Sequence, residues 1–151
     1  AVCDDVETVV RCGLGEIPAK SRLYEAVSEV FAWKQSGKTA EECIQAVHER
    51  YNERVSHDWC HTIPNAVLVA VALLYGEGDF EKTVCLAVSS AFDCDCNGAT
   101  AGSVVGMLKG AKNIPEAWIQ PINGKLETHL FGLETVSVDD LCELTLKHIE
   151  I

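Results

Sequence analysis

Hydrophobic positions recur along most of the chain with the period of an α-helix. The clearest case is a helix expected over residues 22–36, with Ser21 as its candidate N-cap. Its apolar residues stand one, three or four positions apart: Leu23, Val27, Val30 and Phe31. Another helix is expected within "TAEECIQAVHERY", where Thr39 and Glu42 have the spacing of a capping box.

One segment is apolar on nearly all sides. Residues 63–75 carry no charge and fit a buried central helix, with Pro64 at its first position. The run is bounded by Pro64 and Gly76 and is too short to span a bilayer, so we expect no membrane partner.

The remaining pattern is also helical, and no pair of alternating strands is expected. Further helices are expected over residues 3–12, over about 80–90 behind the cap Asp79, over about 97–111, briefly after Pro115, and at the end behind the caps Ser137 and Asp140. The last helix is expected to turn Leu141, Leu144 and Ile149 inward, whereas "NGKLETHLFG" is expected to be irregular. The predicted fold class is all-α, a compact helical bundle in which residues 1–151 form a single domain.

The charge balance narrows the functional classes. The chain has 12 Lys and Arg against 23 Asp and Glu, a formal net charge of −11. Nucleic-acid binding needs a basic surface that displaces counterions, so nucleic acid is not an expected partner. Eight cysteines are present, several of them within helical apolar patterns, and we expect no secretory segment. These features predict reduced thiols and a cytoplasmic location.

The stretch "AFDCDCNGATAGSVVGMLKG", residues 91–110, is the strongest candidate for chemistry. Asp93 and Asp95 offer oxygen ligands, which suit Mg²⁺, Mn²⁺ or Ca²⁺. The structural alternative is an ordinary one, since Asp before a helix is commonly an N-cap.

A zinc or thiol-redox site is a separate alternative for the same stretch. Cys94 and Cys96 offer thiolates, and Cys60 and His61 could complete a zinc set. Structural zinc sites usually place cysteines two to four residues apart, and the Cys-x-Cys spacing is tighter than that.

Glycine recurs every fourth residue in this stretch, at Gly98, Gly102, Gly106 and Gly110. Residues four apart lie along one helix face, and each glycine costs about 1 kcal/mol relative to alanine in a helix interior. One explanation is close packing of a neighbouring helix. The other is approach of an anionic ligand to the N–H groups at the helix start.

Several segments together resemble the C-terminal part of the ADP-ribosylglycohydrolase family. "HTIPNAVLVAVALLYGEGDFEKTVCLAV" resembles the family's His-x-x-x-Asn-Ala helix and the Gly-Asp-Phe helix start that follows it. "DCDCNGATAGSVVGMLKGAKNIPEAW" resembles its second metal-binding segment, and "GLGEIPAKSRLYEAV" resembles its bacterial branch. The resemblance covers nearly the whole chain, and the segment Asp-x-Asp-Cys-Asn-Gly-Ala-Thr is its specific part.

The resemblance implies an all-α protein that binds two Mg²⁺ or Mn²⁺ ions and hydrolyses the bond between ADP-ribose and a modified protein side chain. ADP-ribose or an ADP-ribosylated protein is the implied partner. The metal ligands that it implies are Asp93, Asp95 and Cys96. The candidate ligand-binding residues are His61, Asn97, Gly98 and Thr100. A hydrogen-bonded structural role is the alternative for the histidine, and helix capping is the alternative for the asparagine and the threonine.

Three features depart from the family pattern. The Thr-Asp-Asp segment that supplies the other metal ligands has no match, because Asp4–Asp5 lacks flanking threonines and Asp139–Asp140 fits a helix cap. The sequence therefore resembles the C-terminal half of the family domain. Before the aromatic residue the family often has two glycines, where this chain has Ser90 and Ala91, and their side chains are expected to crowd a ligand. Cys94 also replaces a common threonine.

Three functional hypotheses follow. The first is a part of a hydrolase that is inactive alone and is completed by an N-terminal half; the retained Asp93 and Asp95 favour it. The second is a non-catalytic remnant that acts as a self-associating interaction protein, which the altered Ser90 and Ala91 favour. The third is the zinc or thiol protein, which metal analysis of protein purified without chelator would detect.

We expect the chain to self-associate, most simply as a two-fold homodimer. Half of a helical bundle would expose the apolar faces that the other half covers, and large exposed apolar patches associate with partners. Sedimentation velocity at micromolar concentration measures the association. A strictly monomeric boundary would contradict this expectation and weaken the remnant hypothesis.

Overall fold

The structure is a computed structural model that describes residues 3–149. Its helices are α1 (Val6–Gly15), α2 (Arg22–Gln35), α3 (Ala40–Arg50), α4 (Ser56–Trp59), α5 (Thr62–Gly76), α6 (Phe80–Ser89), α7 (Cys94–Lys109), α8 (Glu116–Ile119) and α9 (Val138–Leu146), with short 3₁₀ turns at Ala111–Asn113 and Gln120–Ile122. Its strands are β1 (Lys125–Glu127) and β2 (Thr135–Ser137). The predicted all-α class is confirmed, because helices make up most of the described chain.

Helix α5 is surrounded by other helices, because its sequence is apolar on every side. Residues 70–74 are all buried, and five consecutive residues face every side of a helix. Helices α1, α2, α3, α6 and α7 all contact α5. The expected central helix is therefore confirmed.

The start of α5 differs from the prediction. The helix begins at Thr62, because Nδ1 of His61 accepts the backbone N–H of Ile63 at 3.1 Å and caps the helix. Pro64 therefore lies at the third helical position and not at the first. Its missing N–H causes no loss there, since the first four N–H groups of a helix have no intrahelical acceptor.

Capping signals in the sequence correctly place three other helix starts. The Ser21 hydroxyl caps α2, Thr39 and Glu42 form a reciprocal capping box on α3, and Asp79 caps α6. Each cap satisfies a backbone donor within three residues, so a short sequence pattern is sufficient to identify it. The first helix differs, since it begins at Val6, three residues later than expected, with Asp5 as its cap.

The chain divides into two compact units between Asn113 and Ile114. In the first unit the buried apolar residues form a core around α5, with contributions from α1, α2 and α3. The prediction of a single domain over residues 1–151 stays a prediction.

The second unit corrects two expectations. Strand β1 pairs antiparallel with β2, with Leu126 opposite Val136, in a segment expected to be irregular. Three residues per strand are too few to produce a visible alternation of apolar and polar positions. The final helix is capped by Ser137 as expected, but Leu144 and Ile149 are 43% and 70% exposed. Within this unit α9 contacts the short strand β2, which is too small to cover an apolar helix face.

None of the helices in residues 3–149 combines the length and the apolar character that crossing a bilayer requires. The eight cysteines are present as free thiols, and the sulfurs of Cys3 and Cys12 lie 4.0 Å apart.

The glycines that recur along and after α7 have two different structural roles. A Cβ built on Gly98 would lie 2.7 Å from Cγ2 of Val88, and one on Gly102 would lie 3.5 Å from Cγ2 of Val84. Both valines belong to α6, so close packing of a neighbouring helix explains these two glycines. Gly110 ends α7 with a φ of 75°, which glycine adopts without a steric penalty.

We predict that alanine has opposite effects at the two packed glycines. Gly102→Ala should raise the free energy of unfolding by about 0.5–1 kcal/mol, since its Cβ fits and alanine favours a helix. Gly98→Ala should lower it by about 1 kcal/mol, because the clash with the stiff Val88 side chain outweighs the same gain. Urea denaturation followed by circular dichroism measures both values.

Val88→Ala is the matched background for this comparison, because it removes the methyl group that clashes. In that background Gly98→Ala should become stabilising. If Gly98→Ala is destabilising to the same extent with and without Val88, close packing against α6 does not explain the glycine.

Candidate metal centre

Helix α7 begins earlier than the sequence predicts. Its first residue is Cys94, so Asp93 occupies the N-cap position and Asp95 lies in the first turn. The expected start near residue 97 is wrong, because the aspartates and cysteines of this segment are weak helix formers whose conformation here is determined by tertiary contacts. The two carboxylates therefore project from a helix start and not from a separate turn.

Ligand atoms of Asp93, Asp95 and Cys96 all lie within 4.8 Å of one another. Among the residues that the structure describes, these three form the one group of this kind. The three side chains range from half-buried to exposed, so solvent can reach them. Cys94, predicted as a partner of Cys96 in a zinc site, is not part of the group.

Asp93 does not use its carboxylate as a helix cap. The side chains of Asp5 and Asp79 each accept an N–H of the helix that follows, and both residues have extended backbone, with ψ of 155° and 126°. Asp93 has ψ of 65° and makes no side-chain cap bond. The ordinary N-cap explanation for this aspartate is therefore wrong. Its carboxylate lies instead beside the ligand atoms of Asp95 and Cys96.

The Asp93 carboxylate interacts with Cys96 directly. A side-chain hydrogen bond to Asp93, followed by the charge of that carboxylate, raises the pKa of the Cys96 thiol. The carboxylate therefore favours the protonated form of the neighbouring thiol.

Asn65 on α5 connects the two segments that form the site. Its Oδ1 accepts the backbone N–H of Asp93 at 3.1 Å and the side-chain amide of Asn97 at 2.8 Å. Its Nδ2 donates to the carbonyls of Trp59 and His61, both at 3.0 Å. One amide therefore fastens the start of α7 to the segment before α5.

The turn before Asp93 has a strained backbone. Ala91 and Phe92 are consecutive residues with φ of 64° and 57°, the left-handed region that glycine favours. Each such residue costs roughly 1–2 kcal/mol in that conformation. Ala91 stands at one of the two positions where the family that the sequence resembles often has glycine, and its φ is one that glycine adopts without a steric penalty.

Two side chains from other elements hold this turn, and no local sequence pattern indicates either of them. Nε2 of His48 on α3 donates to the Ser90 carbonyl at 3.0 Å. The indole N–H of Trp59 on α4 donates to the Phe92 carbonyl at 2.9 Å. The buried Phe92 ring also contacts the His48 ring, with centroids 4.9 Å apart. These partners lie more than 30 positions away along the chain, beyond the range of a local pattern.

A groove of about 400 Å³ runs beside the group of three, between α5 and α7. Its lining residues are Cys60, Thr62, Asn65, Ala66, Val69, Asp93, Cys96, Asn97 and Thr100. Neither Ser90 nor Ala91 lines it, and the Ser90 hydroxyl is buried and donates to the Leu86 carbonyl.

Two of the four predicted ligand-binding residues line the groove, and the other two do not. Asn97 and Thr100 line the groove, but neither caps α7, since the Asn97 amide bonds Asn65 and the Thr100 hydroxyl donates to the Cys96 carbonyl. Gly98 is buried and faces α6. His61 caps α5 and lies outside the groove lining.

Comparison with known proteins gives one match. The family model described as ADP-ribosylglycohydrolase matches residues 1–148. Neither the curated proteins nor the solved structures contain a match.

We predict that Ala91→Gly stabilises the fold. Glycine adopts the left-handed conformation without a steric penalty, and this gain exceeds the extra entropy of the unfolded chain, so the free energy of unfolding should rise by about 0.5–1 kcal/mol. Ala99→Gly is the matched control, since Ala99 is exposed in regular helix and the change should lower the value by about 0.5–1 kcal/mol. If both substitutions lower the free energy of unfolding, the left-handed conformation of Ala91 does not strain the fold.

Proposed function

The chain belongs to the ADP-ribosylglycohydrolase family, and from this we propose that its groove binds the ADP-ribose group of a modified protein beside a divalent cation held by Asp93 and Asp95. One observation carries the proposal. Asp93 stands at a helix N-terminus without capping it, and its carboxylate lies within 4.8 Å of ligand atoms of Asp95 and Cys96.

The side chains present fit a hard cation better than zinc. Two carboxylates are suitable for Mg²⁺ or Mn²⁺, which commonly bind through one or two carboxylates and retain several waters. Cys96 is the one sulfur in the group, and Cys94, Cys60 and His61 do not join it. The zinc or thiol alternative therefore lacks an assembled ligand set among the described residues.

The groove walls can orient a sugar next to such a cation. When bound, the cation would polarise a substrate oxygen and lower the pKa of a bound water. Thr62 and Thr100 present hydroxyl oxygens, which can accept hydrogen bonds from ribose hydroxyls. Ala66 and Val69 present apolar surface to the same space, against which the carbon face of a ring can lie. These side chains bind and position the substrate.

We further propose that this chain alone does not turn over the substrate. The resemblance implies two metal ions, whereas the described residues bring together one ligand group. Two carboxylates in one group hold one ion weakly and leave the second without ligands. The other ligands would come from a complementary polypeptide or from another part of the same one.

A self-associating interaction protein is the second candidate function, and the exposed apolar side chains favour it. Leu130 and Phe131, between β1 and β2, are 62% and 101% exposed. Contiguous exposed apolar patches mark surfaces that bind another protein, and these two neighbouring side chains would contribute to one.

We predict that ADP-ribose binds the purified chain in the presence of Mg²⁺ and not in its absence. Isothermal titration calorimetry in both buffers measures this. Asp93→Asn should weaken the Mg²⁺-dependent binding by roughly tenfold or more, because it removes one of the two charged oxygen ligands.

Asp139→Asn is the control, since it makes the same change of charge at an exposed helix position. It should leave the binding unchanged. Absence of heat in either buffer, with the helical circular dichroism intact, would contradict the binding proposal and favour the interaction protein. Mg²⁺-dependent release of ADP-ribose from a modified protein by this chain would contradict its proposed inactivity.

A further inference from the structure

We infer that Trp59 and His48 are positioning residues that hold the turn Ser90–Asp93 in its left-handed conformation and thereby set the cation affinity of Asp93 and Asp95. The inference rests on the proposed function, since it concerns the placement of the proposed ligands. Neither Trp59 nor His48 belongs to the ligand group or lines the groove.

The turn needs external support because its own sequence disfavours it. Two successive residues with a side chain, Ala91 and Phe92, adopt the left-handed region. Residues in this region persist only where surrounding contacts determine the backbone. The conformation of the turn therefore depends on the groups that contact it.

The two positioning residues hold the turn from both ends. His48 donates to the carbonyl of Ser90, directly before the strained pair, and Trp59 donates to the carbonyl of Phe92, at its end. The Phe92 side chain is 4% exposed and contacts the His48 ring, so the same histidine also restrains the second strained residue.

The conformation of this turn determines whether the Asp93 carboxylate caps α7. Where Asp5 and Asp79 precede a helix with extended backbone, their carboxylates cap it. Asp93 follows a left-handed residue, has ψ of 65° and does not cap α7. Relaxation of the turn would allow Asp93 the usual cap geometry, in which the helix N–H groups compete with a cation for the carboxylate.

Removal of the Trp59 hydrogen bond should not unfold the chain. The Phe92 carbonyl also accepts the N–H of Cys94 at 2.9 Å, so it keeps one partner when the indole is lost. Trp59 is 47% exposed, so a phenylalanine leaves no large cavity in its place. Trp59→Phe therefore tests positioning in a folded protein.

The experiment measures the affinity of the full chain for Mn²⁺, a substitute for Mg²⁺ whose free aquo ion gives an electron paramagnetic resonance signal. Trp59→Phe should raise the dissociation constant roughly tenfold, as is typical for outer partners of metal ligands. Trp33→Phe is the control, because Trp33 is a buried tryptophan of α2 outside the turn. It should lower the melting temperature and leave the dissociation constant unchanged.

A conservative pair tests His48 in the same assay. His48→Leu removes the donor to Ser90 and should weaken Mn²⁺ binding roughly tenfold, whereas His48→Gln keeps an N–H donor and should retain most of the affinity. Equal affinities of these two variants would overturn the assigned role of the histidine.

The outcomes separate this inference from the proposed function. If wild type binds no Mn²⁺, or if Asp93→Asn binds as tightly as wild type, the proposed cation site is wrong and the inference fails with it. If wild type binds, Asp93→Asn does not, and Trp59→Phe matches wild type and Trp33→Phe, the site stands and the inference alone is overturned.

Discussion

The side-chain amide of Asn65 is the contact on which the candidate centre depends. An asparagine amide offers two N–H donors and two acceptor lone pairs, and here all four are used. The donors satisfy the carbonyls of Trp59 and His61, before the start of α5, and the acceptor oxygen receives the backbone N–H of Asp93 and the side-chain amide of Asn97. Aspartate could replace only the accepting half of this pattern, and leucine could replace neither half. One side chain therefore joins both walls of the groove.

The sequence reveals the parts of this fold that depend on near neighbours. The caps Ser21, Asp79 and Ser137 could be predicted because each side chain bonds an N–H three residues away. The start of α7 could not be predicted in this way, since its geometry depends on Asn65 and Trp59, which lie about 30 residues earlier. The aspartates themselves were recognisable as candidate ligands, but the observation that separates a ligand from a cap is a backbone angle.

The centre combines three features that each reduce stability. Two carboxylates lie close together, two residues of the preceding turn adopt a disfavoured backbone, and the N-terminus of α7 lacks a side-chain cap although Asp93 occupies the N-cap position. Strain and unsatisfied groups of this kind are commonly found at functional sites, where the surrounding structure holds them in place. The compensation here comes from the buried helix α5 and from the close contact of α6 with α7.

The hydrogen bonds from Asn65 to the α7 segment connect residues separated by only 28 and 32 positions. Both walls of the groove and the helix that joins them thus come from one continuous stretch of the chain, between Trp59 and Thr100. The entropy lost on closing a loop grows with its length, and domains with short-range contacts fold faster than those with distant ones. Most of the candidate centre can therefore assemble from the consecutive helices α5, α6 and α7, to which His48 of α3 adds a contact from an earlier part of the chain.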